Sequence, residues 1–209
     1  MKPWNLYKYQ RSLDYNHNIA GYDWAVKTID EEKTIYVFTQ FSVTLLDWIV
    51  NFLFMVIPQV RHWFVYFTPL GWQTAFNACK QLIMNKVLTE MNNHPDYKVV
   101  CSGHSYGGAA SVLVGIEIFF ASAIKPDLIT WGAPKPLFLF FTKLVVKFFF
   151  KNVKQYAHIC DIPSYMPPLP GYWNLKVKRL GKFSFKALFN QVETHHCYDD
   201  KELYIGVEE

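Results

Sequence analysis

A chain of 209 residues that is 51% hydrophobic and 18% aromatic has the length for one domain with a sizeable core, and is too apolar for disorder. The formal net charge of +4 is spread without a block of like charges or a basic stripe, which argues against a nucleic-acid partner. Cys79, Cys101, Cys160 and Cys197 are scattered, with no C-x-x-C and no metal-ligand spacing, so buried thiols are expected and no metal.

Met1 to Gln10 is polar and aromatic and lacks the apolar centre of a signal peptide, which predicts a reducing, cytoplasmic setting. Residues 1 to 32 read as a helical or irregular lead-in. Thr34 to Phe38 reads as a central strand buried on both faces, followed by Thr39 to Ser42 and a helical Leu45 to Ile49. Trp63 to Phe67 has the pattern of another strand. Gly71 to Met91 is predicted as an amphipathic helix, with Trp72, Phe76, Cys79, Ile83, Val87 and Met91 on one stripe. Asn92 to Asp96 ends it.

Tyr97 to Ser102 is short, apolar and β-branched, as a buried strand is, and Ala109 to Phe119 continues as a mostly apolar helix. Between them lies Gly103-His104-Ser105-Tyr106-Gly107, a G-x-S-x-G motif. A strand running straight into a helix needs a strained apex, and the flanking glycines remove Cβ atoms where the two arms come closest. The apex hydroxyl, on Ser105, is then lifted beside a helix N-terminus, whose partial positive charge favours an oxyanion.

After Lys125-Pro126-Asp127, Leu128 to Trp131 reads as a strand closed by Gly132-Ala133-Pro134, and Leu137 to Phe150 as an amphipathic helix lying on the sheet. Val153 to Ile159 is the next strand, with Asp161 just beyond its end. Leu175 to Leu180 alternates apolar and basic residues like an exposed edge strand. Ser184 to Val192 reads as a short helix, Thr194 to Tyr198 as a loop, and Asp199 as the cap of a last helix. Two apolar stretches, residues 34 to 60 and 137 to 150, are interrupted by Gln40, Asp47 and Asn51 or by Lys143 and Lys147, which argues against membrane spans. Alternating strands and helices predict a single α/β domain over residues 1 to 209, with a mostly parallel central sheet and helices on both faces. Functional groups gather at the C-terminal ends of such strands, where Ser42, Ser105, Gly132 and Asp161 all fall.

A serine hydroxyl needs a base to remove its proton, and histidine suits that near neutral pH when a carboxylate fixes its tautomer. Asp161 is the best acid: it ends a strand and precedes the proline-rich Pro163 to Pro168, whereas Asp127 lies ahead of a strand. His195 and His196 are adjacent candidates for the base, and the residues alone leave the choice open. His94, His104 and His158 have plainer roles in a turn, beside the elbow and in a strand. An oxyanion hole needs two donors, for which Tyr106 N–H and Ser42 are in place.

With these residues in hand, the sequence resembles the class 3, fungal-type triacylglycerol lipases. The similarity runs through Gly103-His104-Ser105-Tyr106-Gly107-Gly108-Ala109, Trp131-Gly132-Ala133-Pro134-Lys135, Gln40 to Trp48, and Asp161-Ile162 with Pro167-Pro168. His195 followed by Tyr198 resembles the family's H-x-x-Y ending and favours His195 over His196 as base. The resemblance implies an α/β-hydrolase fold and hydrolysis of carboxylic esters of acyl lipids through Ser105, His195 and Asp161. It also implies an ester or lipid substrate and no metal or organic cofactor, while the weakly basic, aromatic-rich composition suits peripheral contact with a lipid interface. Phe41 stands where the family usually has glycine. Trp48 to Gly71 is short for a long lid, though Phe52 to Ile57 suits a small apolar flap. Those departures support an alternative: a catalytically inactive hydrolase-fold module that binds an acyl ligand or a partner.

Overall fold

The computed structural model describes residues 1–17, 22–41, 56–61, 64–168 and 170–207. Helix α1 (Pro3–Arg11) leads to strands β1 (Tyr22–Ile29) and β2 (Thr34–Phe41), then to a hairpin of β3 (Val56–Arg61) and β4 (Phe64–Pro69). Helix α2 (Leu70–Asn93), strand β5 (Lys98–His104) and helix α3 (Tyr106–Ser122) follow. Next come β6 (Asp127–Trp131), β7 (Leu137–Phe138), α4 (Phe140–Lys147) and β8 (Val153–His158). The chain continues through β9 (Tyr172–Trp173), β10 (Val177–Leu180) and the short helices α5 (Phe185–Phe189) and α6 (Gln191–His196).

The main sheet runs β1-β2-β5-β6-β8-β10. Only its first pair, β1 with β2, is antiparallel; the other neighbours pair in parallel. Burial on both faces follows from the period-two pattern of β2. Ile35 and Val37 enter a core shared with α2 and α3, while Tyr36 and Phe38 enter a second core with Leu6 and Tyr7 of α1 and the C-terminal Tyr198 and Tyr204. The whole apolar stripe of α2 is buried, from Trp72 to Met91. Helices thus cover both faces of a mostly parallel sheet.

Several expectations need correction. The lead-in contains a full strand, β1, paired residue for residue with β2 from Tyr22 opposite Phe41 to Ile29 opposite Thr34. Leu137 to Phe150 is not one helix. Leu139 takes a left-handed φ of 69° and donates its N–H to Gly171 O at 2.8 Å, so α4 starts only at Phe140. Leu137 and Phe138 instead join a small antiparallel sheet in the order β3-β4-β7-β9. Ile57, expected in a flap, lies in β3 opposite Thr68. The histidine pair sits at the end of helix α6, not in a loop. The last cap is Asp200, which accepts from Glu202 N at 2.9 Å, not Asp199. The expected helix Leu45 to Ile49, Ser42, Trp63 and the first four residues of the flap lie outside the described residues.

Candidate functional site

The register of the sheet brings one row of strand ends together. Thr39 of β2 lies opposite Gly103 of β5, and His104 of β5 lies opposite Trp131 of β6, which lies opposite Tyr156 of β8. Ser105 follows β5 at once and takes φ 54° and ψ −131°, a strained conformation for a residue with a Cβ. Its N–H donates to Trp131 O at 2.8 Å, and its carbonyl accepts from Gly108 N at 2.9 Å. The glycines permit this turn by their lack of a side chain. A Cβ on Gly103 would lie 2.4 Å from the Gly107 carbonyl carbon, and one on Gly107 would lie 2.1 Å from Thr39 O.

Thr39, at the end of β2, ties that strand to the elbow. Its buried Oγ1 donates to Gly107 O at 2.6 Å and lies 2.7 Å from Ser111 Oγ. The end of β2 is thereby anchored to the helix after Ser105. Tyr106 is the first residue of α3, where backbone N–H groups have no intrahelical acceptor. Its ring packs edge-on to Trp72, 5.4 Å between centroids.

Asp161 lies three residues beyond β8 and is fully buried, 0% exposed. An isolated carboxylate there would be costly, so its partners define its role. His195 Nδ1 lies 2.7 Å from Asp161 Oδ1, and the Tyr198 hydroxyl donates a short bond to Asp161 Oδ2. Burial, then the neighbouring Asp161 charge, push the Tyr198 phenol well above its ordinary value, which keeps it a donor. The same hydroxyl accepts from His158 N at 3.0 Å. Tyr204 donates to Tyr198 O and accepts from Trp131 Nε1, both at 2.9 Å. The C-terminal segment therefore braces the acid against the strand that carries Gly132.

Gly132 completes the enclosure. Its φ is +56°, and a Cβ there would stand 2.7 Å from Asp161 Oδ2 and 2.9 Å from His195 Cε1. The Gly-Ala-Pro loop thus presses backbone directly against the acid–histidine pair.

Of the two adjacent histidines, only His195 bonds to Asp161; the exposed His196 ring lies tilted against the His104 ring, 4.8 Å between centroids. An Nδ1–H directed at a carboxylate leaves the Nε2 lone pair of His195 for another proton. Sequence reasoning missed His104 and the bracing by Tyr204. His104 Nε2 lies 2.6 Å from His195 O, and because a carbonyl only accepts, that nitrogen carries a proton. Burial, then His195 and His196, hold His104 well below the usual imidazole range. It is a neutral spacer that fixes the backbone of α6. The Ser105 hydroxyl makes no hydrogen bond among the described residues.

None of the four cysteines forms a disulfide. Among the described residues there is no cluster of three or more His, Cys, Asp or Glu side chains able to hold a metal ion. Among them too, no helix is long and apolar enough to cross a membrane.

The chain is similar in fold to solved fungal lipases. The Rhizomucor miehei triacylglyceride lipase aligns with TM-score 0.66 at 23% identity, over 77% of this chain and 62% of that one. A triacylglycerol lipase described as having a serine protease triad at its catalytic centre aligns with TM-score 0.69 at 22% identity, over 80% of this chain and 64% of that one. Both belong to the α/β-hydrolase fold. In sequence, the Rhizomucor miehei lipase is 29% identical over 92 residues, 43% of this chain and 24% of that protein. The Rhizopus niveus lipase is 27% identical over 122 residues, 53% of this chain and 30% of that protein. The chain thus spans less than a third of the length of these curated relatives. The family model for Lipase (class 3) matches residues 36–170, which carry the elbow, the Gly-Ala-Pro loop and Asp161, and the chain belongs to the class 3 lipase family.

Proposed function

We propose that this protein is a serine hydrolase that cleaves carboxylic esters of acyl lipids or related esters, as a single domain over residues 1 to 209. Ser105 is the nucleophile, His195 the general base and Asp161 its orienting acid. The observation that carries this reading is the Asp161–His195 hydrogen bond after β8, on the same row of strand ends as the strained Ser105 after β5, with only β6 between the two strands. With Nδ1–H held by Asp161, His195 Nε2 takes the Ser105 proton as the oxygen attacks the ester carbonyl. Tyr106 N–H and Ser42 hold the oxyanion, and His195 then protonates the departing alkoxide. Water, deprotonated by the same nitrogen, releases the acyl group. No metal or organic cofactor enters these steps.

Peripheral contact with a lipid interface is supported by an exposed apolar rim on the segment that delivers His195. Phe185, Phe189 and Val192 are 71%, 84% and 77% exposed, with Lys182 and Lys186 among them. A cytoplasmic setting draws support from the four cysteines, none of which is joined in a disulfide. The alternative, a catalytically inactive acyl-binding module, draws on the Ser105 hydroxyl having no hydrogen-bond partner among the described residues. Turnover of a p-nitrophenyl ester tests the choice. Ser105→Ala and His195→Ala should each abolish it while His196→Ala retains it, and unchanged turnover in Ser105→Ala would reject the assignment.

A further inference from the structure

Between residues 168 to 179, Lys135 and Lys143 of α4 lies a cleft whose charge the ester chemistry does not use. Lys135, Lys143, Lys176 and Arg179 line it, and no Asp or Glu does. Among the described residues none of the four pairs with a carboxylate. On a chain with a net charge of only +4, this is a concentrated site.

Arg179 of β10 is held without an acid. Its guanidinium stacks on Tyr165 at 3.9 Å from the ring centroid and donates to the buried Ser164 Oγ at 2.7 Å. One hydroxyl uses one of its five donors and leaves the rest of the planar fork for an anion. Lys135 donates to Pro167 O at 3.3 Å, with two ammonium protons remaining. Burial, then the nearby Arg179 charge, hold Lys135 below its ordinary value, as expected where two cations crowd without an anion between them. Lys143 reaches in from α4, its ammonium 4.9 Å from the centroid of the Trp173 ring that also lines the cleft.

We infer that this cleft is a binding site for a phosphate-bearing anion, distinct from the Ser105 centre and built from Lys135, Lys143, Lys176 and Arg179 with Trp173 as an apolar wall. A single carboxylate would neutralise one cation and leave the others opposed. A phosphate monoester brings about −1.5 to −2 charge and three acceptor oxygens, which fit a bidentate guanidinium plus ammonium groups. The organic remainder lies against Trp173. The inference stands independently of the ester chemistry, since no residue of the cleft belongs to the triad. Its place is nonetheless adjacent to it: Lys135 is three residues from Gly132, and Arg179 bonds Ser164, whose hydroxyl donates to Asp161 O at 2.7 Å.

The test uses the full chain carrying Ser105→Ala, so that no ester is consumed. Inorganic phosphate and glycerol 3-phosphate are titrated by calorimetry, and co-flotation is measured with phosphatidylcholine vesicles with and without phosphatidic acid. Binding is expected to weaken with added salt. Lys143→Gln/Lys176→Gln, two side chains that make no hydrogen bond inside the fold among the described residues, should lower affinity by about tenfold or more while leaving the melting temperature unchanged. Binding of the soluble phosphates as well as of vesicles identifies a free phosphate ester as sufficient. Capture by phosphatidic acid vesicles alone identifies a lipid head group. Binding of neither probe, or equal affinity of the double variant and its parent, overturns the site.

Discussion

Tyr198→Phe isolates the hydroxyl that braces the proposed catalytic acid. The substitution keeps the ring and its edge-on packing against Tyr7, 5.6 Å between centroids, and removes one oxygen. Two buried groups lose their partner: Oδ2 of Asp161, whose side chain is fully enclosed, and the His158 N–H. A lost hydrogen bond to a charged group costs about 1.5–3 kcal/mol, and an orphaned buried N–H about 1 kcal/mol more. The sum of about 2.5–4 kcal/mol is a large part of a domain's stability and corresponds to a melting temperature lower by roughly 5–15 °C at this chain length. Asp161 keeps His195, so ester turnover at 25 °C should fall by about tenfold at most. Asp161→Asn is the counterpart: it retains the shape but directs the wrong tautomer, and should cost about 10⁴ in kcat. Calorimetric melting and p-nitrophenyl butyrate kinetics on both variants read the split. An unchanged melting temperature in Tyr198→Phe, or an Asp161→Asn enzyme within tenfold of its parent, would refute the reasoning.

Other expectations follow from the same geometry. Gly132→Ala places a methyl within 2.7 Å of Asp161 Oδ2 at a φ of +56°; kcat should drop about 10²-fold or more with far-ultraviolet circular dichroism retained. Gly107→Ala drives a Cβ to 2.1 Å from the Thr39 carbonyl, backbone against backbone, so the variant should unfold at least 3 kcal/mol more easily by urea titration, by a rough estimate from overpacking and strain. His104 is held neutral in the fold, below its unfolded value near 6.5. Above pH 6.5 both states are neutral and nothing is lost. Below it the unfolded chain takes up the proton first, so stability falls by up to about 1.4 kcal/mol per pH unit. Urea melts at pH 6.5 and 5.5 should show a smaller drop in His104→Gln than in the parent, and equal drops would contradict the assignment.

What the sequence revealed and what it hid have physical causes. The elbow was legible because its glycines answer a steric demand within five residues, and the crowding at Gly103 and Gly107 shows that demand in distances. The α2 helix was legible because one stripe is buried throughout its length. Strand β1 was hidden by Asp23, Lys27 and Thr28, which break its apolar pattern. Asp23 is nonetheless buried, with His17 Nδ1 at 3.1 Å from its carboxylate. Strands β7 and β9, two residues each, are too short for any periodicity and exist through pairing between distant segments. The helix expected from Leu137 misread continuous hydrophobicity, because the break at Leu139 depends on Gly171, thirty-two residues away. Choosing between His195 and His196 depends on which ring turns toward Asp161 at the end of α6, a tertiary fact whose one local signal is Tyr198 three residues after His195, bonded to the same carboxylate. His104 reads as an elbow neighbour in the sequence, yet it holds the His195 carbonyl, while Tyr7 and Tyr204, which carry no motif, pack against or bond Tyr198 and Trp131 behind the acid.

Labelling with a fluorophosphonate probe, followed by peptide mapping, tests the central claim most directly. The folded protein should be modified on Ser105 alone, with labelling lost in His195→Ala and retained in His196→Ala. Folded protein that leaves Ser105 unmodified, or that labels equally well without His195, would contradict the account.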